Sequence, residues 1–278
     1  MWLLLKYTLL YAAVLILVAL GGMFSERSGV INIALEGIMV IGGLMGVVMI
    51  NIMNAAGAPI FLGILVTILV SALAGMLYSS LLAFSAINLK ADQTIGGTAL
   101  NLLATAVAMV IAKRINGSDS PKITYSTNTN AVFNSSHFSF NVGPLTLNWF
   151  LLVTLAAVAV AWFILYRSRF GMRLMACGEH PQAADSVGIN VYKMRWAGVL
   201  MSGALGGIGG TAYIVPAVGD WNFEMGVAGM GFLALAVMIF GQWKPLNIAG
   251  AALFFAVFRA MANIFDSIPF LASLGWPK

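Results

Sequence analysis

Apolar residues in this chain follow one another in runs longer than the core of a soluble protein uses. Such runs cover Trp2 to Gly22, Val30 to Met53, Ile60 to Ala86, Thr94 to Ala112, Trp149 to Tyr166, Trp196 to Pro216, Met225 to Phe240 and Leu246 to Phe265. A helix rises about 1.5 Å per residue, so about 20 apolar residues cross a hydrocarbon core about 30 Å thick. The runs are continuous rather than alternating, which excludes the strand pattern of a membrane barrel. They predict an all-α fold, a polytopic transmembrane helix bundle of about eight spans. Only 8% of the 278 residues are charged and 61% are hydrophobic, so no soluble surface can be assembled from them. A single transmembrane domain over residues 1–278 is the expected organisation. The first run has no basic leader and no small-residue cleavage site, and reads as a retained span rather than a signal peptide.

Several chemistries drop out. Cys177 is the single cysteine, which excludes an internal disulfide framework, and His137 and His180 alone cannot assemble a metal cluster. The net charge of +5 does not point to nucleic acid, because the basic residues stand between apolar runs, where Lys and Arg set orientation. The connection from Tyr166 to Arg195 carries Arg167, Arg169, Arg173, Lys193 and Arg195, which marks residues 166–195 as a cytoplasmic loop. Counting spans outward from it places residues 113–148, rich in Ser, Thr and Asn, outside, and the turns holding Ser25–Gly29, Lys90 and Lys244 inside. The N-terminus and the tail from Asp266 then lie outside, and Lys113, Arg114 and Lys122 depart from the rule. The sequons at Asn116 and Asn134 read as chance matches.

Polar and small residues inside the runs carry the rest of the information. Gly42 with Gly46, Ser71 with Gly75 and Ser79, Gly203 with Gly207, and Gly206 with Gly210 have the spacing that lets helices approach closely in lipid. Thr94, Thr98, Asn101 and Thr105 fall at i, i+4, i+7 and i+11, a polar stripe that requires either interhelical hydrogen bonds or a watery route. Asn32 and Glu36 are spaced i, i+4, and an acid in a span must be paired, with Arg27 as one partner, or face the route. Glu224, in a glycine-rich turn, and Arg259, in the last run, invite the same question, with snorkelling to the interface as the simpler account.

No G-x-x-x-x-G-K-[ST] loop and no dinucleotide fingerprint occurs, so energy for transport must come from an ion gradient or another polypeptide. The loop segment ACGEHPQAADSVGINV, Ala176 to Val191, predicts a short helix with Pro181 near its start, Ala183 and Ala184 inside and Gly188 at its end. A compact helix of small residues between basic flanks suits docking into a groove of a partner.

At this loop the sequence becomes recognisable. FGMRLMACGEHPQAADSVGINVYKMRWAGVLMSGALGGIGG, Phe170 to Gly210, resembles the coupling region of permeases in the ribose and branched-chain amino acid class of ABC importers. GGMFSERSGVINIALEGIMVIGG, Gly21 to Gly43, resembles the subgroup that imports nucleosides or simple sugars with a binding protein of the basic-membrane-lipoprotein type. The resemblance implies a bacterial cytoplasmic (inner) membrane subunit that pairs with a second homologous permease, an ABC ATPase and an extracytoplasmic substrate-binding lipoprotein. ATP and Mg would be used by that ATPase, and no cofactor or metal is expected on this chain. It implies that Gly178, Glu179, Pro181, Ala183, Ala184 and Gly188 form the coupling segment, with Glu179 to Gly188 as the helix seated in the ATPase. The expected translocation pathway is lined by Asn32, Glu36, Thr94, Thr98, Asn101 and Glu224. The family's internal pseudo-repeat is faint here, with LEGIMVIGG after Ala34 and FEMGVAGMG after Asn222 as counterparts, and the family implies one more span and a cytoplasmic end beyond the last run. Nucleosides are the expected solute, with simple sugars or flavin-type compounds as alternatives. A self-sufficient ion-coupled carrier would instead want paired acids within the membrane or broken helices. A membrane-embedded enzyme would need clustered His, Asp or Cys, which the runs lack.

Overall fold

The computed structural model describes residues 2–117, 119–124, 138–142, 145–217, 220–223 and 226–264. Its helices are α1 (Trp2–Arg27), α2 (Leu35–Ala55), α3 (Ile60–Ala83), α4 (Gln93–Asn116), α5 (Trp149–Arg167), α6 (Arg169–Glu179), α7 (Pro181–Ser186), α8 (Val191–Ala217), α9 (Met230–Phe240) and α10 (Pro245–Ile264). Two short antiparallel pairs accompany them: β1 (Lys122–Thr124) with β4 (Asp220–Asn222), and β2 (Ser139–Val142) with β3 (Leu145–Asn148). A π-helical turn, Phe84–Asn88, prolongs α3.

Helices α1 to α5, α8 and α10 are each long and apolar enough to cross a membrane. The run from Met225 does not form an eighth crossing among the described residues, because helix begins only at Met230. Its 11 residues span about 16 Å, half of a hydrocarbon core. The run from Val30 is also interrupted, since residues 28–34 are turns and extended backbone and α2 starts at Leu35. Asn32 therefore precedes the helix, and its spacing to Glu36 does not place the two on one helical face.

Helices α1 and α8 form the centre. From Leu10 to Ser25 every residue of α1 is buried, and it packs on α5, α8, α9 and α10, while α2 and α3 pack on the other side of α8. Helix α4 lies outermost, against α2. Lipid is as apolar as a leucine side chain, so helices in it are held by close backbone approach rather than by hiding apolar surface. The glycine and serine spacings supply that approach. A Cβ on Gly42 would collide with Gly207, one on Gly75 with the Gly203 carbonyl, and one on Gly210 with the Met39 carbonyl, so α2, α3 and α8 touch backbone to backbone. Hydroxyl bonds reinforce the seam: Ser71 and Thr211 share one of 2.6 Å, and Thr211 donates to the Gly42 carbonyl at 3.2 Å.

The connections divide between two ends of the bundle. The turn after α1, the segment α6–α7, the turn at Gln242–Lys244 and the Lys90 turn meet at one end, which also holds Arg27, Arg195 and Lys193. The β1–β4 pair closes the opposite end, beyond the last turn of α4. Lys113 and Arg114, which depart from the charge rule, sit in that last turn, where cations complement the carbonyl end of the helix. The Arg259 guanidinium lies 5.9 Å from the ring centre of Tyr11 in α1.

Candidate functional site

Two helices begin inside the bundle, and both starts are satisfied by side chains from elsewhere. The first turn of any helix has amide groups with no partner within the helix, and hydrocarbon offers no water to replace one. In α2 the Gly37 N–H donates to Asn101 Oδ1 of α4 at 2.7 Å, and Asn101 Nδ2 donates to the Ile33 carbonyl at 2.9 Å. One amide side chain thus holds both the turn before α2 and the first helical residues. In α9 the Gly229 and Gly231 N–H groups donate to Glu36 Oε1 and Oε2 at 2.8 and 2.7 Å. The carboxylate sits at the positive end of that helix, and its expected partner Arg27 is not the group it pairs with. Asn32 is fully buried, donates to Ser202 of α8 at 2.8 Å and accepts the Ala34 N–H at 3.1 Å.

The predicted pathway residues therefore separate. Asn101, Glu36 and Asn32 converge on the starts of α2 and α9. Thr94 and Thr98 lie on an exposed face of α4, with the Thr98 hydroxyl bonded back to the Thr94 carbonyl at 3.0 Å and the Thr94 N–H held by Asp92 at 2.8 Å. Glu224 lies outside the described residues. Of the two stretches that resemble each other, LEGIMVIGG opens α2, and the last residues of FEMGVAGMG, Gly229 to Gly231, form the start of α9 that Glu36 holds. Sequence reasoning missed this cap because its partners are 193 and 195 residues apart. The repeated acid–glycine pattern was the signal that could have found it.

At the basic end, the predicted docking helix is a helix–break–helix. Glu179 closes α6, His180 breaks the path, and Pro181 opens α7, which ends at Ser186 before Gly188 turns the chain with φ of +81°. This corrects the continuous helix expected from Glu179 to Gly188: proline lacks the N–H that would extend α6 and fits the first turn of a new helix. Ala184 is buried, while Gln182, Ala183, Asp185, Ser186 and Val187 are exposed. Behind α7, α6 is seated on the end of α1. A Cβ on Gly178 would collide with the Arg27 carbonyl and come within 3.1 Å of the Gly29 nitrogen, so α6 and the turn after α1 meet with no side chain between them. Arg27 adds a donor to the Trp243 carbonyl at 3.4 Å and an ion pair with Glu179 at 3.8 Å, and Trp243 Nε1 donates to Glu26. Cys177, next to this seat, is fully buried; burial pushes its thiol above the ordinary range, against the lowering effect of Arg195. α7 is thus joined, through α6, to the seven-residue connection that leads into the α2 start.

Among the described residues no three His, Cys, Asp or Glu side chains are grouped to hold a metal.

The sequence matches the model of the family described as the branched-chain amino acid transport system / permease component over residues 4–274. It is 40% identical over 275 residues to the guanosine ABC transporter permease protein NupQ of Bacillus subtilis, covering 94% of this chain and 82% of that protein. It is also 40% identical over 268 residues to the nucleoside ABC transporter permease protein NupC of Lactococcus lactis, with the same coverage of 94% and 82%. The similarity to a further permease of that organism, the nucleoside ABC transporter permease protein NupB, is 28% over 144 residues, half of this chain and 39% of that protein. With a bundle of membrane-length helices and a match along nearly its whole length, the chain belongs to the branched-chain amino acid transport system / permease component family of ABC transporter permeases.

Proposed function

We propose that this chain is one of two related permease subunits of an ATP-driven, binding-protein-dependent importer, and that nucleosides are its solute. The observation that carries the solute is the 40% identity to guanosine and nucleoside permeases over 94% of the chain. The end of the bundle with Arg27, Lys90, Arg195 and Lys244 faces the cytoplasm of a bacterial inner membrane, a reading that the excess of basic residues there supports. There α7 docks on an ABC ATPase, which binds and hydrolyses ATP with Mg. The exposed Ala183 and Val187 are the contact surface, and Ala184 fixes the helix to the bundle. Closure of the ATPase pair moves α6 and, through Gly178, the end of α1. Thr94 and Thr98 lie on a face that this chain leaves open, and the second permease completes the pathway beside them. An extracytoplasmic lipoprotein delivers the solute, so the spans need no tight pocket.

The test is reconstitution of this permease with its partner permease, ATPase and binding protein, followed by uptake of labelled guanosine and glucose with and without ATP. ATP-dependent guanosine uptake is expected. Uptake of glucose instead would replace the solute, and movement of solute down an ion gradient by this chain alone would overturn the class.

A further inference from the structure

A cavity of about 310 Å³ opens at the basic end, between the connection that follows the π-helical turn and the first turns of α8. Its polar lining is Lys90, Gln93, Tyr192 and Arg195, over Ala86 and Ile87. Each of these four side chains carries a donor. Gln93 Oε1 already accepts the Ile31 N–H at 2.7 Å, which leaves its Nε2 to donate. Arg195 lines the cavity with its guanidinium packed beside Gly29 and its Nε enclosed without a hydrogen-bond partner, and among the described residues neither Arg195 nor Lys90 has a carboxylate within ion-pair distance. No acid lines the cavity. Asp92, beside Gln93, is turned to the first turn of α4, where it accepts the Thr94 and Ile95 N–H groups at 2.8 and 3.0 Å. Lys90 is held at φ of +54°, a left-handed backbone uncommon for a residue with a side chain, and strain of this kind gathers where a side chain is held for use.

Two uncompensated cations with an amide and a phenol as further donors fit a compact anion with several acceptor oxygens. We propose that this cavity binds a phosphate group, and that an anionic phospholipid head group is its source. The surroundings favour lipid over free phosphate: Leu81, Phe84 and Leu89, on the same stretch of chain, are 48%, 51% and 64% exposed, so apolar surface for acyl chains adjoins the donors. A head group there ties the α3–α4 connection to the start of α8, next to the seat of α6. Basic pockets on the cytoplasmic side of helix bundles hold phospholipid head groups by the same attraction.

The proposal rests on the cytoplasmic orientation given above, but its test involves no transported solute, so it fails separately from the nucleoside reading. The assembled transporter is placed in phosphatidylcholine nanodiscs and titrated with phosphatidylglycerol, with retained lipid read by native mass spectrometry. Phosphatidylglycerol should bind in preference to phosphatidylcholine, and Lys90→Gln, at an exposed position, should weaken it about fivefold, as expected for one surface charge. Arg195→Lys, which keeps the charge and loses the forked donors, should weaken it as well. Competition by inorganic phosphate with the same dependence on Lys90 would support the site and make the free anion its ligand. Equal binding of both lipids, or no effect of either substitution, would overturn the proposal. So would crosslinking of a cysteine at position 90 to the ATPase in every nucleotide state, because a subunit contact would then fill the cavity.

Discussion

Replacing Glu36 should loosen the start of α9. Its two oxygens accept from Gly231 at 2.7 Å and Gly229 at 2.8 Å. Bonds to a charged acceptor contribute about 1.5–3 kcal/mol each, so the gross contribution is about 3–6 kcal/mol. Removing the carboxylate also removes the cost of keeping it partly out of water, which brings the net loss for Glu36→Ala to about 3–4 kcal/mol. Glu36→Gln keeps one acceptor oxygen and loses the charge, so about half of that loss is expected. The assay is hydrogen exchange of the peptide covering residues 226–240 in the purified permease, alongside thermal unfolding. Exchange at Gly231 should rise by several hundredfold in Glu36→Ala and about twentyfold in Glu36→Gln, each tenfold step being about 1.4 kcal/mol. Unchanged exchange in Glu36→Ala, with stability within about 0.5 kcal/mol of the wild type, would refute the cap. A loss in Glu36→Gln as large as in Glu36→Ala would show that charge, not bond number, does the holding.

Asn101→Ala should cost about 2–3 kcal/mol by leaving the Gly37 N–H and the Ile33 carbonyl unpaired, and Asn101→Asp, which keeps only the acceptor, should fall between it and the wild type in thermal unfolding. Gly75→Ala should destabilise by about 1–3 kcal/mol or more, because its Cβ meets the backbone of Gly203 and Gly207. Gly250→Ala in α10 meets nothing within 4 Å and should stabilise by about 0.5–1 kcal/mol, which makes the pair an internal control. Cys177 should resist maleimide at neutral pH and react once Gly178→Val lifts α6 from α1, with ATP-driven uptake lost in the same variant. Because its thiol is raised in the folded state, burial of Cys177 favours folding below the ordinary thiol range, and that contribution fades as pH rises above it. A stability profile flat in pH from 8 to 10 that matches Cys177→Ala would remove this effect.

Much of the bundle was legible because its signals are local. A continuous apolar run has few fates other than a membrane helix, and seven of the runs formed one. The small residues of α2, α3 and α8 were legible for the same reason: a side chain of one hydrogen at every fourth position lets backbones touch, and Gly42, Gly75, Gly203, Gly207 and Gly210 all do so. The helix over Pro181 was legible in its proline, although its start was misplaced at Glu179. The roles of Asn32, Glu36 and Asn101 were not. Spacing within a run presumes that the run is helical throughout, and Asn32 lies where it is not.

The sequence by itself determined that this is a helical membrane permease, how its crossings are ordered, and which residue types let them pack. Only the tertiary structure decided where α2 and α9 begin. A helix in water can start wherever its own cap allows, but one that starts inside a membrane needs an acceptor for its free N–H groups. Here those acceptors, Asn101 and Glu36, arrive from other helices and can be seen only once the chain has folded.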